Sequence, residues 1–144
     1  MRAAAAIGAL ALVGCVVDRT PPDTCTRDED CAGQVCARSH ECVPADQLHA
    51  VTVRWTIAGA APTTTTCAPV PNFELQFRDG SDPTRDIAYH PVPCSAGAFP
   101  IDKWPLAYDA VAIQAESPSG GSTSQTGVIP PDAIADVTVD VAIP

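Results

Sequence analysis

Seven cysteines, three histidines and 17 acidic side chains are the groups in this 144-residue chain most able to do chemistry. Four of the cysteines fall close together in "CTRDEDCAGQVCARSHEC", residues 25–42, with the spacing C-x5-C-x4-C-x5-C. Thiolates so placed can ligate zinc, or the sulfurs can pair as disulfides. Structural zinc sites use short C-x2-C or C-x4-C knuckles with a second pair farther on. Here only Cys31 and Cys36 have such a gap, no second knuckle follows, and the nearby His40 and His49 read as solvated loop residues. Asp28-Glu29-Asp30 are consecutive acids whose oxygens point apart, unlike the spaced ligands of a calcium loop. "RDGSDPTRD", residues 78–86, sets Asp79, Ser81 and Asp82 around Gly80, a closer match that is also an ordinary turn, since Asp-Gly and Asp-Pro favour turns.

Catalytic constellations are not legible. No histidine lies in H-E-x-x-H, and there is no G-x-S-x-G elbow, phosphate loop or dinucleotide fingerprint. His90, in "AYHPVPC", reads as a strand-end residue. Glu74 with Asp109 or Glu116 would make a glycosidase-type carboxylate pair only if the fold brought them together. The chain therefore reads as a non-enzyme, with no cofactor and no resident metal implied.

The compartment decides what the cysteines do. "MRAAAAIGALALVG", residues 1–14, has a basic start at Arg2 and an apolar run from Ala3 to Val13, the layout of an export signal. A membrane-spanning helix needs about 20 apolar residues, more than this run supplies. Leu12-Val13-Gly14-Cys15 resembles the lipobox of bacterial lipoproteins. The resemblance implies cleavage before Cys15 and acylation of its sulfur, giving a membrane anchor through lipid. Val16 follows the cysteine where an aspartate would retain such proteins in the inner membrane, so the outer membrane is favoured if the source has one. Residues 15–24 then form a tether. The net charge of −9 repels nucleic acid and anionic headgroups, which excludes both as partners.

With Cys15 assigned to lipid, six cysteines remain, an even number suited to disulfides in an oxidising space. Cys25, Cys31, Cys36 and Cys42 would close two loops in a module spanning residues 25–47, whose small apolar content cannot sustain a core alone. Three pairings are open; the interleaved one, Cys25–Cys36 with Cys31–Cys42, is favoured. "CTRDEDCAGQVCARSHECV" resembles the short cysteine-rich repeats of lipoproteins from myxobacteria and their relatives, and more faintly whey-acidic-protein modules, though it lacks their eight cysteines and adjacent pair.

From Leu48 onward apolar residues alternate. Val51, Val53, Trp55 and Ile57 share one face, as do Phe73, Leu75 and Phe77, and again Val137, Val139, Val141 and Ile143. "YDAVAIQAE" is strand-like without choosing a face, and weaker strands are expected at 87–90, 98–101 and 123–129. With about seven short strands broken by frequent turns, residues 48–144 predict an all-β fold, a single antiparallel Greek-key sandwich. Cys67 and Cys94 are expected to bond within it. The segments "VRWTIAG", "PLAYDAVAIQAESPSG" and "ADVTVDVAIP" resemble transthyretin-like domains, such as carboxypeptidase regulatory domains and the repeats of bacterial adhesins. Trp104, in "DKWPLAY", reads as a loop residue free either to stack on a ligand or to plug one end of the core. These readings describe a lipid-anchored extracytoplasmic structural or interaction module of the bacterial cell envelope, with an unknown protein or glycan partner. The alternatives are a carbohydrate- or peptide-binding domain acting through Trp104, or a protease-inhibitor-like cysteine-rich protein.

Overall fold

A computed structural model describes residues 24–144; the export segment, Cys15 and the tether lie outside the described residues. A two-stranded hairpin, β1 (Val35–Cys36) and β2 (Cys42–Val43), precedes seven longer strands. These are β3 (Leu48–Ile57), β4 (Asn72–Asp79), β5 (Ile87–Pro93), β6 (Ala98–Pro105), β7 (Tyr108–Glu116), β8 (Ser122–Val128) and β9 (Ile134–Val141). They form two facing sheets, ordered β6-β3-β9 and β5-β4-β7-β8. The fold is an all-β sandwich, and most connections pass from one sheet to the other.

Period-two alternation places one side of each strand inside. In β3 it buries Val51, Val53, Trp55 and Ile57; in β4 it buries Phe73, Leu75 and Phe77, all three at zero exposure. Each such large side chain, fully removed from water, contributes about 1.5–3 kcal/mol. In β9 Ala135, Val137, Val139 and Val141 point inward, while Asp136 and Asp140 face solvent. β7 is one of the two interior strands of its sheet, flanked by β4 and β8. "YDAVAIQAE" shows no clean alternation because Val111, Ala112 and Ile113 are all buried, the small Ala112 on the outer face included.

One expectation needs correction. β3 and β9 pair parallel, from Ala50 with Ile134 to Ile57 with Val141, so the sandwich is not wholly antiparallel. The pairs β3–β6, β4–β5, β4–β7 and β7–β8 are antiparallel, so the first and seventh strands of the sandwich form its one parallel pair among the described residues.

Two tethers fix the sheets at their margins. Cys67–Cys94 joins the connection after β3 to the turn after β5, and the indole Nε1 of Trp55 donates to the Cys94 carbonyl at 2.7 Å. Between β8 and β9 the approach is close enough to demand glycine. A Cβ on Gly127 would sit 2.6 Å from Val137 Cγ1 and 2.9 Å from Val139 Cγ2. Replacing Gly127 with alanine should therefore destabilise the protein by about 1–3 kcal/mol, the usual cost of overpacking a filled core. Chemical denaturation is the measurement, and an unchanged midpoint would show that the two sheets are not held this close.

Candidate functional site

The cysteine-rich segment packs against one end of the sandwich, and that junction concentrates much of the ionic chemistry of the molecule. Cys25–Cys36 and Cys31–Cys42 are bonded, which is the interleaved pairing, each closing a separation of 11 residues. Loops of that size stabilise by roughly 3 kcal/mol in the chain-entropy description. The sulfurs of Cys25, Cys31 and Cys42 lie within 4.8 Å of one another because the two bonds sit side by side, so they are disulfide sulfurs and not free thiolates. Asp28–Cys31 forms a single 3-10 turn. Its acids bind different partners: the Asp28 carboxylate accepts from the Cys36 backbone N–H and from Lys103 Nζ, while Asp30 accepts the N–H groups of Thr26 and Arg27. Those bonds, led by Lys103 for Asp28 and by Thr26 for Asp30, hold both carboxyls below their ordinary range.

Three contacts seat this module on β6 and on the turn after β4. Arg38 Nε donates to Asp102 Oδ1 at 2.7 Å, and the Arg38 backbone N–H donates to the Lys103 carbonyl at 3.1 Å. Lys103 reaches Asp28 at 3.0 Å. These two ion pairs are largely exposed and contribute little individually. The third contact is less exposed. Arg85 donates through Nη2 to Glu41 Oε1 at 2.6 Å and through Nη1 to Asp79 Oδ2 at 2.8 Å, so one guanidinium bridges module and sandwich. It also lies 5.8 Å from the ring centre of Tyr108.

Asp79 has no exposed side-chain surface. Burial alone would raise its pKa, but the hydroxyl and N–H of Ser81 together with Arg85 outweigh burial and hold the carboxyl below its ordinary value. In "RDGSDPTRD" Asp79 serves Ser81 and Arg85, and Asp82 caps the Pro83–Arg85 turn through Thr84. Burial, reinforced by the Glu41 carboxylate, pushes the Tyr108 phenol up to about 12.

Other residues singled out in the sequence fall elsewhere. Trp104 is not a loop residue but part of β6, completely buried. Its ring lies 4.5 Å from Phe77 and 4.9 Å from Tyr108, centre to centre, so it plugs the core and has no face free for a ligand. The cause is an irregularity: the register of β6 against β3 slips between His49 and Val51, and both Asp102 and Lys103 point outward. Lys103 takes a left-handed φ of 49°, and the extra outward residue turns Trp104 in. His49 is likewise not a solvated loop residue. It is buried in β3 opposite Trp104, its Nδ1 donating to the Asp132 carbonyl at 3.0 Å. His49 Nε2 and Trp104 Nε1 are both buried without a partner among the described residues. His40 is exposed, with Nδ1 beside the Cys25 carbonyl.

Several depressions mark the surface, among them two beside residues already named. A cleft of about 520 Å³ runs along the module junction, lined by Arg27, Asp28, Arg38, His40, Tyr89 and Lys103 among others. A shallow groove of about 580 Å³ crosses the outer face of the four-stranded sheet. It brings Glu74 and Glu116 together with His90, Gln114, Ser122 and Ser124, whereas Asp109 lies away from it against Gly80. Such a groove offers hydrogen-bond donors and acceptors to a polar ligand but little enclosure. Sequence reasoning missed Glu41 and Arg85, which lie 44 residues apart; an arginine beside a buried turn aspartate is the one trace it could have followed. Comparison of the chain with family models, with curated proteins and with solved structures returns no match.

Arg85→Met should lower stability by about 2 kcal/mol in a denaturant titration. Leaving a buried charge unpaired costs roughly 3–5 kcal/mol, reduced here because 38% of the Arg85 side chain remains in water. The pH profile follows from the two shifted groups. The depressed Asp79 pKa contributes stability above about pH 4 that is lost as pH falls further; the raised Tyr108 pKa contributes stability below about pH 10 that is lost towards pH 12. Asp79→Asn should flatten the acid limb and Tyr108→Phe the alkaline limb, read as melting temperature against pH.

Proposed function

We propose that the protein is a lipid-anchored, extracytoplasmic interaction module of the bacterial cell envelope, without catalytic activity. One observation carries this reading. All six cysteines among the described residues are consumed in three intrachain disulfides, so Cys15 is the one cysteine of the sequence outside those bonds. Three disulfides belong to an oxidising compartment, and a lone cysteine at the end of an apolar export segment is the residue a lipobox requires. Acylation with two or three chains anchors firmly, since each buried methylene contributes about 0.8 kcal/mol.

On this reading, residues 15–24 lead from the lipid to the stapled module, and the module holds the sandwich at a set orientation. The polar groove around Glu74, Gln114 and Glu116 is then the face offered to a protein or glycan partner. Trp104 plays no part in that contact, because it is interior. The outer membrane is the favoured location where the source has one, from Val16 following the cysteine.

Replacement of Cys15 by serine is the direct test. The wild-type chain should partition with membranes and carry an acyl mass increment by mass spectrometry, and the Cys15→Ser chain should show neither the increment nor processing before residue 15. Membrane partitioning with the acyl increment retained in the variant would remove the lipoprotein reading.

A further inference from the structure

A sandwich with two open sheets has four edge strands, and a free edge exposes backbone donors and acceptors to any other strand that approaches. Three of the four edges carry devices that discourage pairing. β5 contains Pro91 and Pro93 and has an irregular register against β4. β6 contains Pro100 and Pro105 and the Asp102–Lys103 irregularity. β9 presents Asp136 and Asp140 to solvent; centred on Thr138, an antiparallel copy would set Asp136 against the Asp140 of its mate.

β8 has none of these. Its sequence, Ser-Thr-Ser-Gln-Thr-Gly-Val, holds no proline and no charge, and its seven residues pair with β7 in unbroken register from Ser122 to Val128. The strand lies close against β9, because Gly127 has no Cβ to meet Val137 and Val139. Among the described residues no strand pairs with its other side. Val128 at its end is 77% exposed, and Ile134, opening the next strand, is 79% exposed; these are the large apolar side chains the described surface leaves bare.

We propose that β8 is a self-association strand, pairing antiparallel with β8 of a second copy about a two-fold axis. The occupant follows from charge and symmetry. The chain is acidic overall, at −9, so two copies need an uncharged strip on which to meet. Full overlap of the seven residues centres the axis on Gln125. Ser124 then faces Thr126 of the mate, Thr123 faces Gly127, and Gln125 faces itself, with no like-charge pair anywhere in the ladder. A two-fold contact of this kind closes on itself, yielding a dimer and not a fibre. The result is a continuous eight-stranded sheet across two sandwiches, four strands from each.

The test is sedimentation equilibrium of the full chain in density-matched detergent across a concentration series, and it does not depend on how the chain is anchored. The wild type should move from monomer to dimer mass as concentration rises. Ser124→Lys with Thr126→Lys places lysine opposite lysine at both symmetry-related pairs and should weaken association about tenfold. Ser124→Lys with Thr126→Glu places lysine opposite glutamate and should restore it. Both side chains are exposed, so the variants should keep the wild-type melting temperature and near-ultraviolet dichroism, which separates lost pairing from lost folding. A wild type that stays monomeric throughout, or a double-lysine variant that dimerises as tightly as the wild type, overturns the proposal. So does failure of the lysine–glutamate variant to regain what the double-lysine variant loses.

Discussion

The Arg85 guanidinium holds two parts of this chain that neither local sequence nor hydrophobic burial would keep together. It joins Glu41, on the stapled module, to Asp79, at the end of β4 inside the sandwich. A buried carboxylate is expensive unless a cation and hydrogen bonds compensate it, and Asp79 receives both, from Arg85 and from Ser81. Removing the arginine would leave that charge orphaned against Tyr108 and would also release Glu41. The exposed pairs Arg38–Asp102 and Lys103–Asp28 then position the module, adding direction to a junction whose larger electrostatic weight rests on Arg85.

The same end of the molecule shows how one irregular position sets several features. The Asp102–Lys103 irregularity in β6 sends both side chains outward, where they meet Arg38 and Asp28, and sends Trp104 inward against Phe77 and Tyr108. Tyr108 in turn sits beneath Arg85. A single extra outward residue thus links the aromatic plug of the core to the ionic seat of the module. A disulfide hairpin with little core of its own acquires a fixed orientation by borrowing this platform.

Within the sandwich, order and pairing obey geometry more than composition. The first and seventh strands of the sandwich pair in parallel, and their partnership places Arg54 beside Asp136 and Thr56 beside Asp140. The Thr56 hydroxyl, and after it the Gly59 N–H, donate to the Asp140 carboxyl and hold it below its ordinary range. The four edges then differ sharply in chemistry. Proline, aspartate and irregular register occupy three of them, and small uncharged residues the fourth.

How much of this was legible beforehand can be traced residue by residue. Alternation marked the inward faces of β3, β4 and β9, because a half-buried strand must place every second side chain out of water. The even count of cysteines beyond Cys15 marked disulfides, and Cys67 and Cys94, the two cysteines of the sandwich segment, do bond to each other. Burial of Trp104 and His49 was not legible, since a one-residue slip in register inverts which face a side chain takes. Nor was the meeting of Glu41 with Arg85, or the joining of Glu74 and Glu116 in one groove without Asp109. Local sequence carries periodicity and turn chemistry, which depend on neighbours a few residues away. Register, sheet partners and long-range ion pairs depend on how separate strands settle against one another, and only the tertiary structure decides that.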